Sequence, residues 1–153
     1  MCIRDSVDTR RLFDEDLVLI TNPSHRFTTV GNVDINEVAK EPLILYSAES
    51  SYFLLIEQVC NQAGITPNIE IRVDSVDSIK SMVEMGLGIS FVPRSSVQKE
   101  IKQGTLSLIP LGPSSRVLIS TCVLIHRDEK SSASVKAVLS ILENLYSKWP
   151  AKS

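Results

Sequence analysis

Met82-Val83-Glu84-Met85-Gly86-Leu87-Gly88-Ile89-Ser90-Phe91-Val92-Pro93 is the stretch on which the reading of the fold turns. Its first half continues the spacing of Ile79, Met82 and Val83, which lines these three along one inward helix face. Gly86 suits a left-handed helix stop. Gly88 opens a short apolar run to Val92 that reads as a buried strand, closed by Pro93. The order helix, Gly86-Leu87-Gly88, strand is the reverse of what a dinucleotide-binding glycine loop requires. A helix stop followed by a tight entry into a strand accounts for both glycines.

The same alternation extends outward from there. Toward the amino end, Asp74 or Ser75 caps the helix, and Ile69 to Val73 forms the strand before it. A further helix runs from Tyr52 to Ala63, with Leu55, Ile56, Val59 and Ala63 on its apolar face and Gly64 as its stop. Pro42 holds Glu41 extended, and the strand Leu43 to Tyr46 comes next. Asp34 and Glu37 have capping-box spacing and start a short helix to about Lys40. Leu17 to Ile20 is a buried strand closed by Thr21-Asn22-Pro23. Toward the carboxyl end lie a helix from about Ser95 to Lys102, Gly104 as its stop, and strands at Leu106–Leu111 and Val117–Ile125. The last helix starts near Ser131 or Ser132, with Val135, Val138, Leu139, Leu142 and Leu145 at helical spacing. Short, continuous apolar strands alternating with helices predict an open α/β sheet of parallel strands covered on both faces. Residues 1-6 share no pattern with the rest of the chain and read as a non-native stretch.

Composition narrows the function classes. The 153 residues suffice for one ordinary domain or two small lobes, with 43% hydrophobic and 22% charged residues. A net charge of -2 offers no basic surface for nucleic acid, so DNA contact by this chain is not expected. Cys2, Cys60 and Cys122 lack the spacing of a disulfide framework or a zinc site. Cys60 and Cys122 sit in apolar runs and read as small core hydrophobes. A reducing, cytoplasmic setting is the expectation. The longest apolar run, Val117 to Ile125, is broken by Ser120 and Thr121 and falls far short of the roughly 20 residues of a membrane span. No apolar segment of a signal peptide comes after Met1. Neither membrane contact nor export is expected.

Two strand-to-helix junctions carry ligand-binding chemistry. In open α/β sheets, ligands bind beyond the carboxyl ends of the strands. Tyr46-Ser47-Ala48-Glu49-Ser50-Ser51 offers hydroxyls and the free N–H groups of a helix start, which suit a carboxylate or another anion. Val73-Asp74-Ser75-Val76 offers a cap side chain and amides of the same kind. The plainer account is that these serines are only caps, each worth about 1 kcal/mol. Catalysis would need a nucleophile beside a base. Cys60 or Cys122 with His25 or His126 are the available pairs, and none lies in a recognised local pattern. No cofactor or metal motif occurs, and the chain is not read as an enzyme.

In sequence order, these pieces resemble the effector-binding (substrate-binding) domain of LysR-type transcriptional regulators. Leu12-Phe13-Asp14-Glu15-Asp16-Leu17-Val18-Leu19 is similar to that family's Leu-x-x-Asp-Glu-Leu-Val-Leu strand. Asn22-Pro23-Ser24-His25 resembles its Pro-x-His turn. Val33-Asp34-Ile35-Asn36-Glu37-Val38, with Glu41-Pro42-Leu43-Ile44 after it, resembles its loop, helix and Pro-Leu-Ile strand. Ala63-Gly64-Ile65-Thr66-Pro67 resembles its Ala-Gly-x-x-Pro link. The opening stretch, residues 82-93, is similar to its Val-x-x-Gly-Leu-Gly-Ile-x-x-x-Pro. The quoted matches run from Leu12 to Pro93 in sequence order, and the resemblance as a whole covers about residues 12-147.

The resemblance implies a two-lobed fold of the periplasmic-binding-protein type 2 kind, with the second lobe complete and the first partial. Residues 7-23 and 114-153 would belong to the first lobe and residues 24-113 to the second. It places Thr21 at the hinge, and Ser47, Ser50, Ser51, Asp74 and Ser75 on the wall of an interlobe cleft that takes a small anionic effector. Ser51 is the foremost of these. Many family members carry an arginine near Tyr52 or Phe53; this chain does not. The implied partners are a small-molecule effector and further copies of the regulator, as a dimer or tetramer. Phe53 and Leu54 are candidates for that self-association face. DNA would be contacted only through a winged helix-turn-helix that this chain lacks. The alternative is a periplasmic-type solute-binding protein, which shares the two-lobe architecture.

Overall fold

The computed structural model describes residues 6-130 and 132-146. Cys2, most of the proposed non-native stretch and the Ser131 cap candidate lie outside them. Two compact units share the described residues, 6-15 with those from 119 to 146, and 16-118. Strand β1 (Val7–Thr21) and strand β6 (Val117–His126) each contribute to both, and they pair with one another.

The larger unit is built on a mixed sheet. After β1 come α1 (Ile35–Val38), β2 (Leu43–Tyr46), α2 (Ser51–Gln62), β3 (Ile69–Val73), α3 (Val76–Glu84), β4 (Ser90–Pro93), α4 (Gln98–Gln103) and β5 (Ser107–Ile109). Strands β2 and β3 pair in parallel. The parallel bridge Leu43↔Ile89 sets β4 against the other side of β2. Strand β1 then runs antiparallel to both β4 and β5. The neighbours therefore run β3, β2, β4, β1, β5, and the wholly parallel sheet expected from the sequence is corrected at β1. Apolar runs of either direction look alike when both faces are covered. Leu17–Ile20, Leu43–Leu45, Ile79, Ile89 and Phe91 form the core.

Local signals set the ends of these elements. The Asp34 carboxylate accepts from Asn36 N–H to cap α1. Gly64, Gly86 and Gly104 come after α2, α3 and α4 with φ of 69°, 76° and 72°. In each case the next residue donates to a carbonyl five positions back: Ile65 to Cys60, Leu87 to Met82, Thr105 to Glu100. Gly88 does different work. A Cβ there would lie 2.4 Å from the Pro42 carbonyl oxygen, which the neighbouring Ile89 N–H engages at 3.0 Å.

The smaller unit consists of the outer parts of β1 and β6 with α5 (Ala133–Tyr146). Ile119, Ile125 and Leu139 are buried there, and Phe13 stacks on Tyr146 at 4.7 Å between centroids. Of the apolar positions read on the last helix, Val138 and Leu145 are 56% and 63% exposed, so that face is only partly buried.

Candidate functional site

The register Tyr46↔Val73 ends β2 and β3 side by side, about 4.8 Å apart as neighbouring strands. Each strand leads directly into a helix. The amino ends of α2 and α3 therefore open next to each other at the carboxyl edge of the sheet, within the larger unit. The first N–H groups of each helix have no partner inside that helix, and their aligned dipoles favour negative charge.

The serines at the first junction divide the work. Ser50 is the N-cap of α2, and its hydroxyl accepts from Tyr52 N–H at 3.2 Å. Half-buried Ser47 accepts from Ser50 N–H at 2.9 Å through its carbonyl oxygen. Ser51, the first residue of the helix, is exposed, and its hydroxyl is not used in capping. At the second junction Asp74 is exposed, while Ser75 is the N-cap of α3 and makes no side-chain cap bond. The hydroxyls of Ser51 and Ser75 are thus available beside the free amides.

Thr21 does not join them. It is fully buried and pairs with Ser107, and the preceding Ile20 pairs with Ser90, where β4 begins. Strand β4 runs parallel to β2, so Thr21 lies at the amino edge of the sheet, opposite the two junctions. The two compact units divide between Glu15 and Asp16, on the same strand as Thr21. A strand followed by Thr-Asn-Pro marks where the strand stops and carries no record of its direction in the sheet.

Two features went unread in the sequence. Tyr46 is 4% exposed, and its hydroxyl has no hydrogen-bond partner among the described residues. Burial, with Tyr52 next to it at 4.9 Å, pushes this phenol well above its ordinary value. It stays protonated and able to donate at the end of β2. Arg72 on β3 lays its guanidinium over the Phe53 ring at 4.5 Å. A cation therefore stands beside the start of α2 although residues 52 and 53 are not arginine. Only the tertiary contact between β3 and α2 reveals it. Phe53 itself is 5% exposed, so of the two candidates for a self-association face only Leu54, at 54%, is on the surface.

Neither cysteine forms a catalytic pair with histidine among the described contacts. Cys60 is buried, and burial raises its thiol above the ordinary value. The His25 ring accepts from Phe27 N–H through Nδ1 and faces Glu41 at 3.5 Å. His126 lies 3.5 Å from Asp128. Among the described residues no cluster of metal-ligating side chains occurs, and no helix is long and apolar enough to cross a membrane.

Comparison with known proteins agrees with this geometry. The sequence profile of the LysR substrate binding domain matches residues 3-146. A probable RuBisCO transcriptional regulator of Cyanophora paradoxa is 31% identical over 68% of this chain and 33% of its own length. The uncharacterized HTH-type transcriptional regulator YfiE of Escherichia coli is 28% identical over 77% of this chain and 40% of its own length. The chain thus spans between a third and a half of these curated relatives. Among solved structures, the regulatory domain of Synechocystis CcmR in complex with 2-PG superposes with a TM-score of 0.85 at 18% identity, over 95% of this chain and 70% of that one. The effector binding domain of QuiR in complex with shikimate gives 0.77 at 16%, over 97% and 69%. The fold is the α/β, periplasmic-binding-protein type 2 class of such domains, and a family of this kind is not an enzyme family.

Proposed function

Since the chain belongs to the LysR substrate binding domain family, we propose that it is the small-molecule-sensing portion of a transcriptional regulator. The observation that carries the proposal is the register Tyr46↔Val73, which aligns two helix starts at one edge. Unclaimed amides, the Ser51 and Ser75 hydroxyls, the protonated Tyr46 phenol and nearby Arg72 all favour an anionic group. The effector is a small anion, held by Ser51 first and by Ser75 beside it, with Ser47 and Asp74 at the margin and Ser50 shaping the helix start. That two solved relatives hold 2-PG and shikimate supports a small-molecule effector. An effector shifts the regulator only by its unequal affinity for two arrangements of the protein. The net charge of -2 leaves DNA contact to another part of the regulator, whose setting is the cytoplasm and whose working form is a dimer or tetramer.

Calorimetry tests this reading. Shikimate and a panel of other small organic acids are titrated into the protein, and any binder is repeated on Ser51→Ala and Ser75→Ala. Losing a hydrogen bond to a charged group should weaken binding by about 1.5–3 kcal/mol, or roughly tenfold or more. Unchanged affinity in both variants would sink the assignment.

A further inference from the structure

The larger unit holds a cavity farther along its sheet, bordered by β1, by the residue after β4 and by the end of β5, and it shares no lining residue with the two serine junctions. It arises where β5 leaves β1. Their pairing ends at Leu19↔Ile109. Pro110 and Pro113 lack the N–H needed to extend a ladder, and the Pro110 carbonyl is taken instead by Val33 N–H at 3.0 Å. The chain bends away and leaves an opening of about 310 Å3 against the edge of β1. Leu17, Leu19, Leu108, Pro110 and Pro113 give it an apolar wall.

Its charged groups are unevenly paired. Arg116 grips both oxygens of Asp16, at 2.5 and 3.0 Å, so that carboxylate is satisfied. Arg94, just after β4, also lines the cavity and is only partly exposed. It makes no hydrogen bond or ion pair among the described residues. A guanidinium that no carboxylate engages keeps its charge and its donors open to an anion. With Asp16 neutralised by Arg116, one positive charge is left over at an otherwise apolar opening. A second hollow of about 290 Å3 shares Arg94 and Leu108 and runs on toward Val97 and Ile101 of the adjoining helical segment.

We propose that this opening is a second ligand site, for a small apolar monocarboxylate whose ring or chain lies against Leu17, Leu108 and Pro110 while its carboxylate pairs with Arg94. The volume is at the lower end for ligand pockets, roughly 300 Å3, and sets the size of the guest. Guanidinium and carboxylate match in a two-pronged geometry that a neutral head group does not reproduce. The site is separate from the serine junctions and stands or falls independently of them.

Benzoate and its neutral counterpart benzyl alcohol serve as probes, each titrated to about 10 mM, ten times the millimolar constant of weak specific binding, into isotope-labelled protein followed by amide NMR. Benzoate should give saturable shifts at residues 17-19, 94, 108, 109, 111 and 112. Arg94→Gln should weaken it at least tenfold, and benzyl alcohol should bind at least tenfold more weakly than benzoate to the unaltered protein. Equal binding of the two probes, or equal benzoate affinity in Arg94→Gln, overturns the proposal. So does the absence of saturable shifts in the unaltered protein, or shifts confined to residues 50-53 and 75-77, which would assign the carboxylate to the other site alone.

Discussion

Lys80 on α3 reaches the Glu100 carboxylate on α4 at 2.9 Å, and its ammonium also meets the Ser96 carbonyl oxygen at 3.0 Å. Their side chains are only 14% and 16% exposed, so the contact works in a partly desolvated setting. It ties the two helices that come after β3 and β4. Lys80→Met leaves a covered carboxylate without its cation and should destabilise the protein by on the order of 2 kcal/mol. Urea unfolding at neutral pH measures this.

The same pair predicts a pH response. Hydrogen bonding to Lys80 holds the Glu100 carboxyl below its ordinary 4.5. A carboxyl lowered in the folded state stabilises above the unfolded value, and that share is lost as pH falls through the lowered one. Stability should therefore decline as pH drops below about 4.5, and Glu100→Gln should flatten that part of the profile. An identical acid limb in Glu100→Gln would show that Lys80 does not set it.

Gly86 and Gly88 should fail differently on substitution. Gly86→Ala forces a side chain into φ of 76° with open space around it, a cost of about 1–2 kcal/mol. Gly88→Ala pushes a Cβ against the Pro42 carbonyl at 2.4 Å, which only a backbone shift relieves, so its loss should exceed about 2 kcal/mol. Thermal melts of the two variants side by side check the order.

Ser50 and Ser51 should separate stability from binding. Ser50→Ala removes the cap bond to Tyr52 N–H and should cost about 1 kcal/mol. Ser51→Ala, at an exposed position, should stay within about 0.5 kcal/mol while weakening anion binding. Equal losses of stability would contradict the division of labour between them.

Thiol labelling should distinguish the two described cysteines. Cys122 is exposed and Cys60 is buried, with its thiol held protonated by burial and by Glu57. Peptide mapping after brief maleimide treatment of native protein should find Cys122 modified and Cys60 untouched until denaturant is added. Labelling of both at the same rate would mean that α2 opens readily.

Much of the fold was legible along the chain. Asp34, Gly64, Gly86 and Gly104 mark helix ends because capping and left-handed turns depend on residues within a few positions of one another. The serine junctions were legible too, since a strand followed by cap residues and a helix predicts free amides wherever it occurs. The role of Ser50 as cap and of Ser51 as free hydroxyl was not, because neighbouring serines look alike until the first turn of α2 fixes which one takes the Tyr52 amide.

The amino-acid order by itself determined most of the strands and helices, where they stop, and the family to which they belong, because those properties arise from short-range spacing and turn chemistry; the long lead-in of β1 from Val7 to Asp16 was not among them. Tertiary structure alone decided that β1 enters antiparallel, that Thr21 ends at the edge opposite the serines, that Arg72 covers Phe53, and that Arg94 stands beside the β1–β5 fork with no partner among the described residues. Each of these depends on strand direction and register between segments far apart in the chain, and an apolar run buried on both faces carries the same residues whichever way it runs.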